Sequence, residues 1–126
     1  MTTILLRIRT INPLNGRRHW RSVWKTGEVE KTRVATMFLL HKARGGTLPG
    51  LPVDVKLIRI SPHHRGLDLD GCWASMKHVI DQVARELGCP DDGREDLIRF
   101  HVEQERGLEH RVRVEMVERV AQERTA

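Results

Sequence analysis

Acidic side chains gather within GLDLDGCWASMKHVIDQVARELGCPDDG, residues 66 to 93, at Asp68, Asp70 and the Asp91-Asp92 pair, with Lys77 between them. Read as extended backbone, Asp68 and Asp70 stand at i and i+2 and point the same way, so two carboxylates share a face and offer a cation site. From Trp73 the pattern turns helical: Trp73, Met76, Ile80, Val83, Ala84 and Leu87 recur at threes and fours, and Gly88 followed by Pro90 ends the run. Lys77 follows Asp70 by about two helical turns, which returns it to the side of the carboxylates. Plainer uses exist for each group. Asp70 before Gly71 can cap a helix, Asp91-Asp92-Gly93 is turn chemistry, and a lone helix lysine ordinarily faces water.

Taken together, DLDG, Lys77, Asp81 and LGCPDDG resemble the RusA-type Holliday junction resolvases, above all their phage-borne branch, whose motif runs D-x-D-N-L, a lysine-bearing helix, then a glycine and a D-D turn. NPLNGRRHW, residues 12 to 20, is similar to the P-x-N-x-x-x-x-W loop that follows the first strand in that family. The resemblance implies that Asp68, Asp70 and Asp92 hold magnesium, with manganese as a substitute, and that Lys77 assists at the scissile phosphate. It further implies DNA contacts at Asn15, Arg17, Arg18, His19 and Arg65, and a homodimer that resolves four-way junctions by paired symmetric cuts. Residue chemistry alone leaves Asp91 and Asp92 open; the family's spacing from the lysine selects Asp92, and Gly93 behind it frees the turn to aim that carboxylate. Where the family usually carries asparagine after the second aspartate, this chain has Gly71. That departure sustains a second reading, a branched-DNA binding protein with weak or no cleavage.

The chemistry suits the residue types. Phosphodiester hydrolysis needs a nucleophile at neutral pH and neutralisation of phosphate charge, which carboxylate-bound magnesium supplies; it takes one or two protein carboxylates plus water and phosphate oxygens. A lysine ammonium can stabilise charge developing at the phosphate. The formal net charge of +5 and a pI near 9.9 make a polyanion a natural partner. Arg17, Arg18, His19, Arg21 and Lys25 interleave with Trp20 and Trp24, and cations with indole faces are what nucleic-acid strands bind; the two tryptophans, four apart, serve a small core equally well. A zinc site from His63, His64, Cys72, Cys89 and His101 has neither CxxC nor HxxxH spacing. The histidines beside Arg65 read better as phosphate contacts or loop residues.

The 126 residues bound one domain. With 39% hydrophobic and 31% charged residues the composition is that of a globular protein rather than a disordered one. Cys72 and Cys89 bracket the helical run and would stand about 25 Å apart, too far for a disulfide, so reduced thiols and a cytoplasmic location are expected. MTTILLRIRT is interrupted by Arg7 and Arg9, which is unlike a signal peptide, and no stretch approaches a membrane span.

The elements that must hold the site read as follows. ILLRIRTI, residues 4 to 11, alternates Leu6 and Ile8 against Arg7 and Arg9, a strand with one basic face, and leads into a loop at Asn12–Gly16. Glu28 to Ala43 is an amphipathic helix with Val34, Met37, Phe38 and His41 on one side, stopped by Arg44-Gly45-Gly46. After a connector from Thr47 to Pro52, Val53 to Ile60 is a strand whose phase changes at Ile58 and Ile60, as at a bulge. Ile98, Phe100 and Val102, then Val112, Val114 and Met116, alternate with charged residues around Gly107 and predict a β-hairpin. The tail from Glu118 is polar and expected to fray. The order β-α-β-α-β-β gives an α/β domain: a mixed four-stranded sheet with two main helices.

Overall fold

The computed structural model describes residues 1–10, 20–63, 66–89 and 93–119, with backbone alone for 20–24. Asn15, Arg17, Arg18, His19, Arg65, Asp91 and Asp92 lie outside the described residues, as do the side chains of Trp20 and Trp24. In chain order the elements are β1 (Thr2–Leu6), α1 (Trp20–Ala43), β2 (Val53–Ser61), α2 (Leu69–Ser75), α3 (Lys77–Glu86), β3 (Ile98–Arg106) and β4 (Arg111–Glu118). The strands make one mixed sheet in the order β1-β4-β2-β3; β2 runs parallel to β3 and antiparallel to β4, and β4 antiparallel to β1. The expected α/β class and mixed four-stranded sheet are present, with one helix more than expected.

Alternation along the strands sorts the sheet into two faces. Ile4, Leu6, Val53, Val55, Leu57, Ile98, Val112, Val114 and Met116 form one cluster with Val34 and Phe38 of α1, Met76, and Val79 and Val83 of α3. The helices thus cover one face, the usual two-layer solution for burying an apolar sheet surface. The other face carries Lys56, Arg99, His101, Glu103, Glu105, Arg111, Arg113 and Glu115.

The predicted hairpin is not formed. Although only the four residues Gly107–His110 separate β3 from β4, β2 lies between them and pairs with both. The connection passes over the end of β2, where the Gly107 N–H donates to the Ser61 carbonyl at 3.1 Å. A Cβ at Gly107 would clash with Ile60 Cγ2, so only glycine permits so close a crossing. The hairpin expectation treated sequence neighbours as sheet neighbours; the better cue was β2, the most buried of the four strands.

Nor does β2 change phase. Its register is unbroken from Val53 to Ser61 against β3 and from Val53 to Ile60 against β4. Ile58, 3% exposed, belongs to the charged face, where Arg113 of β4 reaches across β2 to bond Glu105 of β3 at 3.0 and 3.2 Å. The aliphatic stem of Arg113 shields the isoleucine. On the helix-covered face, the place an apolar residue would take is held by Arg59.

The helix expected from Trp73 to Leu87 is two helices, broken at Met76. In a continuous α-helix the Met76 N–H would bond the Cys72 carbonyl. Instead the Ser75 hydroxyl donates to that carbonyl at 2.8 Å, and the Met76 N–H turns to Trp73 O at 3.1 Å. Back-bonding of this kind competes with the helical ladder.

Other boundaries also move. α1 begins at Trp20 rather than Glu28; Gly27 reads as a break in sequence, yet it is buried within the helix, where a Cβ would strike the His78 ring of α3. β1 spans Thr2–Leu6 rather than residues 4 to 11, while inward burial continues at Ile8 and Thr10. Arg119 is pinned, not frayed: its N–H donates to Pro52 O at 2.9 Å, and its guanidinium donates to the carbonyls of Glu95 and Asp96.

Both long helices stop as their glycines suggest. Gly45 and Gly88 have φ of +82° and +80°. Each sits at the left-handed position of a Schellman motif, closed by Gly45 N–H to Lys42 O with Gly46 N–H to His41 O, and by Gly88 N–H to Arg85 O with Cys89 N–H to Ala84 O.

Candidate functional site

The chain leaves β2 at Ser61 and reaches α2 through residues 62–67, so Asp68 stands where a strand end meets a helix start. It is not in extended register with Asp70. Asp68 is the N-cap of α2: its Oδ1 accepts the Gly71 N–H at 2.6 Å, and its carbonyl accepts the Cys72 N–H at 2.8 Å. Asp70 lies in the first helical turn. The expectation that i and i+2 share a face therefore fails, because successive helical residues rotate by about 100° and i, i+2 side chains diverge. It also makes Asp68, rather than Asp70, the capping residue. Both side chains are exposed.

One consequence is a division of labour within Asp68. Oδ1 is engaged by the backbone, which leaves Oδ2 for a ligand. Each exposed carboxylate is a hard oxygen donor of the kind magnesium takes. Among the described residues no group of three or more His, Cys, Asp or Glu side chains is placed to hold a metal ion. The third expected ligand, Asp92, lies outside them.

Lys77 opens α3 and is exposed. The turn at Met76 stands between it and Asp70, so the reckoning of two unbroken helical turns does not describe their relation. Lys77 shares with Asp70 a position in the first turn of a helix, on the protein surface.

Gln104 of β3 organises this region, and sequence reasoning overlooked it. Its Oε1 accepts the Leu67 N–H at 2.8 Å and its Nε2 donates to the Leu67 carbonyl at 2.5 Å. A primary amide can satisfy both groups of one peptide in this way, as a neighbouring strand would. The residue immediately before the Asp68 cap is thereby fixed to the sheet. The available signal was parity: Gln104 continues the series Ile98, Phe100, Val102 on the helix side of β3, where its amide faces the segment leading into α2.

A second polar group occupies the same end of the sheet, on the helix-covered face. Arg59 Nε donates to Thr10 Oγ1 at 3.2 Å and its NH2 to Thr10 O at 3.3 Å. Burial pulls the guanidinium below its usual range, and Arg9 adds to this; burial pushes the Cys72 thiol up, while Arg59 draws it down. His63 and His110 approach with ring centroids 5.2 Å apart. Burial, then Arg9, His63 and Arg59, hold the His110 imidazole below its ordinary value. Arg9 also lines a groove of about 420 Å³ with Lys25, Arg33 and Glu30.

Two of the side chains weighed for a zinc site, Cys72 and His101, lie on opposite sides of the sheet. Cys72 is buried and free under α2, whereas His101 is on the charged face opposite. Cys89 is buried beyond the C-terminal end of α3 and forms no disulfide. No helix among the described residues is long and apolar enough to cross a membrane. No protein-family model matches the chain, and no curated protein matches its sequence.

Proposed function

We propose that this chain is a divalent-metal-dependent endonuclease of branched DNA, acting on four-way junctions as a homodimer in the manner of the RusA-type resolvases. The observation that carries the reading is the exposed pair Asp68 and Asp70 at the start of α2, anchored to the sheet by the Gln104–Leu67 amide bonds and followed at the next helix start by Lys77. Asp68 and Asp70 with Asp92 would hold magnesium, which would supply an activated water and charge neutralisation at the phosphate. Asp68 contributes through Oδ2, since Oδ1 is held by Gly71. Lys77 presents its ammonium to the phosphate, where charge develops in the transition state. Arg17, Arg18, His19, Asn15 and Arg65 contact the strands, and a two-fold dimer places two such sites for two symmetric cuts.

The test is nicking of a synthetic four-way junction with and without magnesium. Asp70→Asn should abolish cutting and leave junction binding intact or tighter, because the metal's charge partner is lost while repulsion of phosphate falls. Unchanged magnesium-dependent turnover in Asp70→Asn would end the metal-site reading. The second reading, branched-DNA binding without cleavage, is favoured by Gly71; junction binding with no cutting in either metal would select it.

A further inference from the structure

Arg59 is 8% exposed, and among the described residues no carboxylate stands against it. Its two acceptors both belong to Thr10, at 3.2 and 3.3 Å, at the long limit of the usual N–H···O range. A guanidinium has five N–H donors, so three remain without a protein acceptor among the described residues. No Arg59 nitrogen is a buried atom without a partner, so the unbonded Nη1 reaches solvent, and a guanidinium this far withdrawn from water without a counter-ion carries a desolvation cost. Burial weighs on it first, the Cys72 thiol offsets part of that and Arg9 adds to it, while His110 lies within the influence of Arg9, His63 and Arg59 together. The arrangement is built into the fold. β2 brings Arg59 inward, the continuation of β1 brings Arg9 and Thr10, the bridge from β3 to β4 brings His110, and the exit from β2 brings His63. His63 is itself tied back, its backbone N–H donating to Ser61 Oγ at 3.3 Å.

We propose that Arg59, Arg9, His63 and His110 form a binding site for one phosphoryl group, and that its occupant is a phosphodiester of a nucleic-acid strand lying beside the Asp68 end of α2. A planar guanidinium with donors to spare matches phosphate oxygens in paired hydrogen bonds, and the imidazoles add donors of adjustable charge. The groove lined by Arg9, Lys25 and Arg33 adjoins this site through Arg9 and gives the strand a basic approach. The anion site stands on these residues alone; its assignment to a strand phosphodiester rests on the nuclease reading.

The experiment is an NMR titration of the full chain in EDTA, following the imidazole signals of His63 and His110. The probes are inorganic phosphate in one arm and a short oligothymidylate in the other. Both should shift the two imidazoles saturably, and bound anion should raise the His110 titration midpoint by countering its three basic neighbours. Arg9→Gln and His63→Gln, at exposed positions, should each weaken oligothymidylate binding about tenfold, the loss of about one charge-assisted contact. Lys56→Gln on the opposite face should leave it unchanged. Saturation by phosphate with no response to oligothymidylate would overturn the phosphodiester assignment. No saturable response to either probe, or undiminished affinity in both variants, would overturn the site and reduce Arg59 to a strut between β2 and Thr10. Because no cleavage is read and no metal is present, these outcomes are independent of whether the junction assay shows nuclease activity.

Discussion

At the scale of single residues, buried polar groups decide most. Glu30 is 6% exposed, its Oε2 has no hydrogen-bond partner, and burial pushes its carboxyl up to about 7. Between the ordinary carboxylate value and 7, the folded protein keeps a proton that the unfolded chain has released, so stability falls as pH rises through that window. The full effect is at most about 3 kcal/mol above pH 7. Glu30→Gln should therefore raise the urea midpoint at pH 8 and flatten its decline from pH 5 to 8; an unchanged pH profile would show that Glu30 is solvated when charged. Gln104 offers a different test. Gln104→Ala removes both bonds to Leu67 and should lower magnesium-dependent cutting severalfold with little loss of thermal stability, since its side chain is exposed. If the ammonium acts on the transition state, as the nuclease reading has it, Lys77→Met should slow cleavage far more than it weakens junction binding; equal losses would make Lys77 an ordinary phosphate contact.

At the scale of elements, the sequence was most informative where local chemistry alone sets the structure. Gly45 and Gly88 were legible as helix ends because only the left-handed conformation they adopt closes those carbonyls. Gly88→Ala should cost about 1 kcal/mol from the positive φ alone, measurable by denaturant unfolding, since the space around it is open. Inward positions of the strands were also legible from their alternation. What periodicity missed were competing bonds and distant partners. Ser75 looks like an ordinary small helix residue, yet its hydroxyl takes the carbonyl that would have continued the helix. Asp68 and Asp70 were legible as an exposed acidic pair, but not as cap and first turn, because the choice between extended and helical backbone there depends on Leu67 being held by Gln104, 37 positions away. Arg59 reads as the polar residue of an alternating strand; only the sheet order reveals that its face is the covered one.

At the scale of the whole molecule, charge is divided unequally between surfaces. The open sheet face mixes signs in bonded pairs, Arg113 with Glu105 and Glu115, and Lys56 with Glu103, and offers a polyanion little net attraction. Among the described residues, basic side chains outside such pairs collect instead at the sheet end, around Arg9, Arg59, His63 and His110, and along the groove, where Lys25 and Arg33 stand with Glu30. If Arg17 and Arg18 extend that basic surface, replacing both by alanine should weaken binding to every DNA form and reduce the salt-dependence slope by about 0.9 per lost contact on duplex DNA. An unaltered slope in a salt titration would return them to the solvated surface.

The bridge from β3 to β4 over the end of β2 also bears on how the chain is made. Translation delivers β2 long before either of its neighbours, and β1 waits longer still, for its partner β4 is the last strand. Until Arg111–Glu118 has emerged from the ribosome, the apolar run VDVKLIRIS lacks one edge of its pairing and β1 lacks its only strand partner among the described elements. Sheet assembly is therefore a late event, completed in one step when Gly107 closes over Ser61. Nascent chains arrested before β4 should be digested by protease throughout, while chains arrested after it has cleared the exit tunnel should resist.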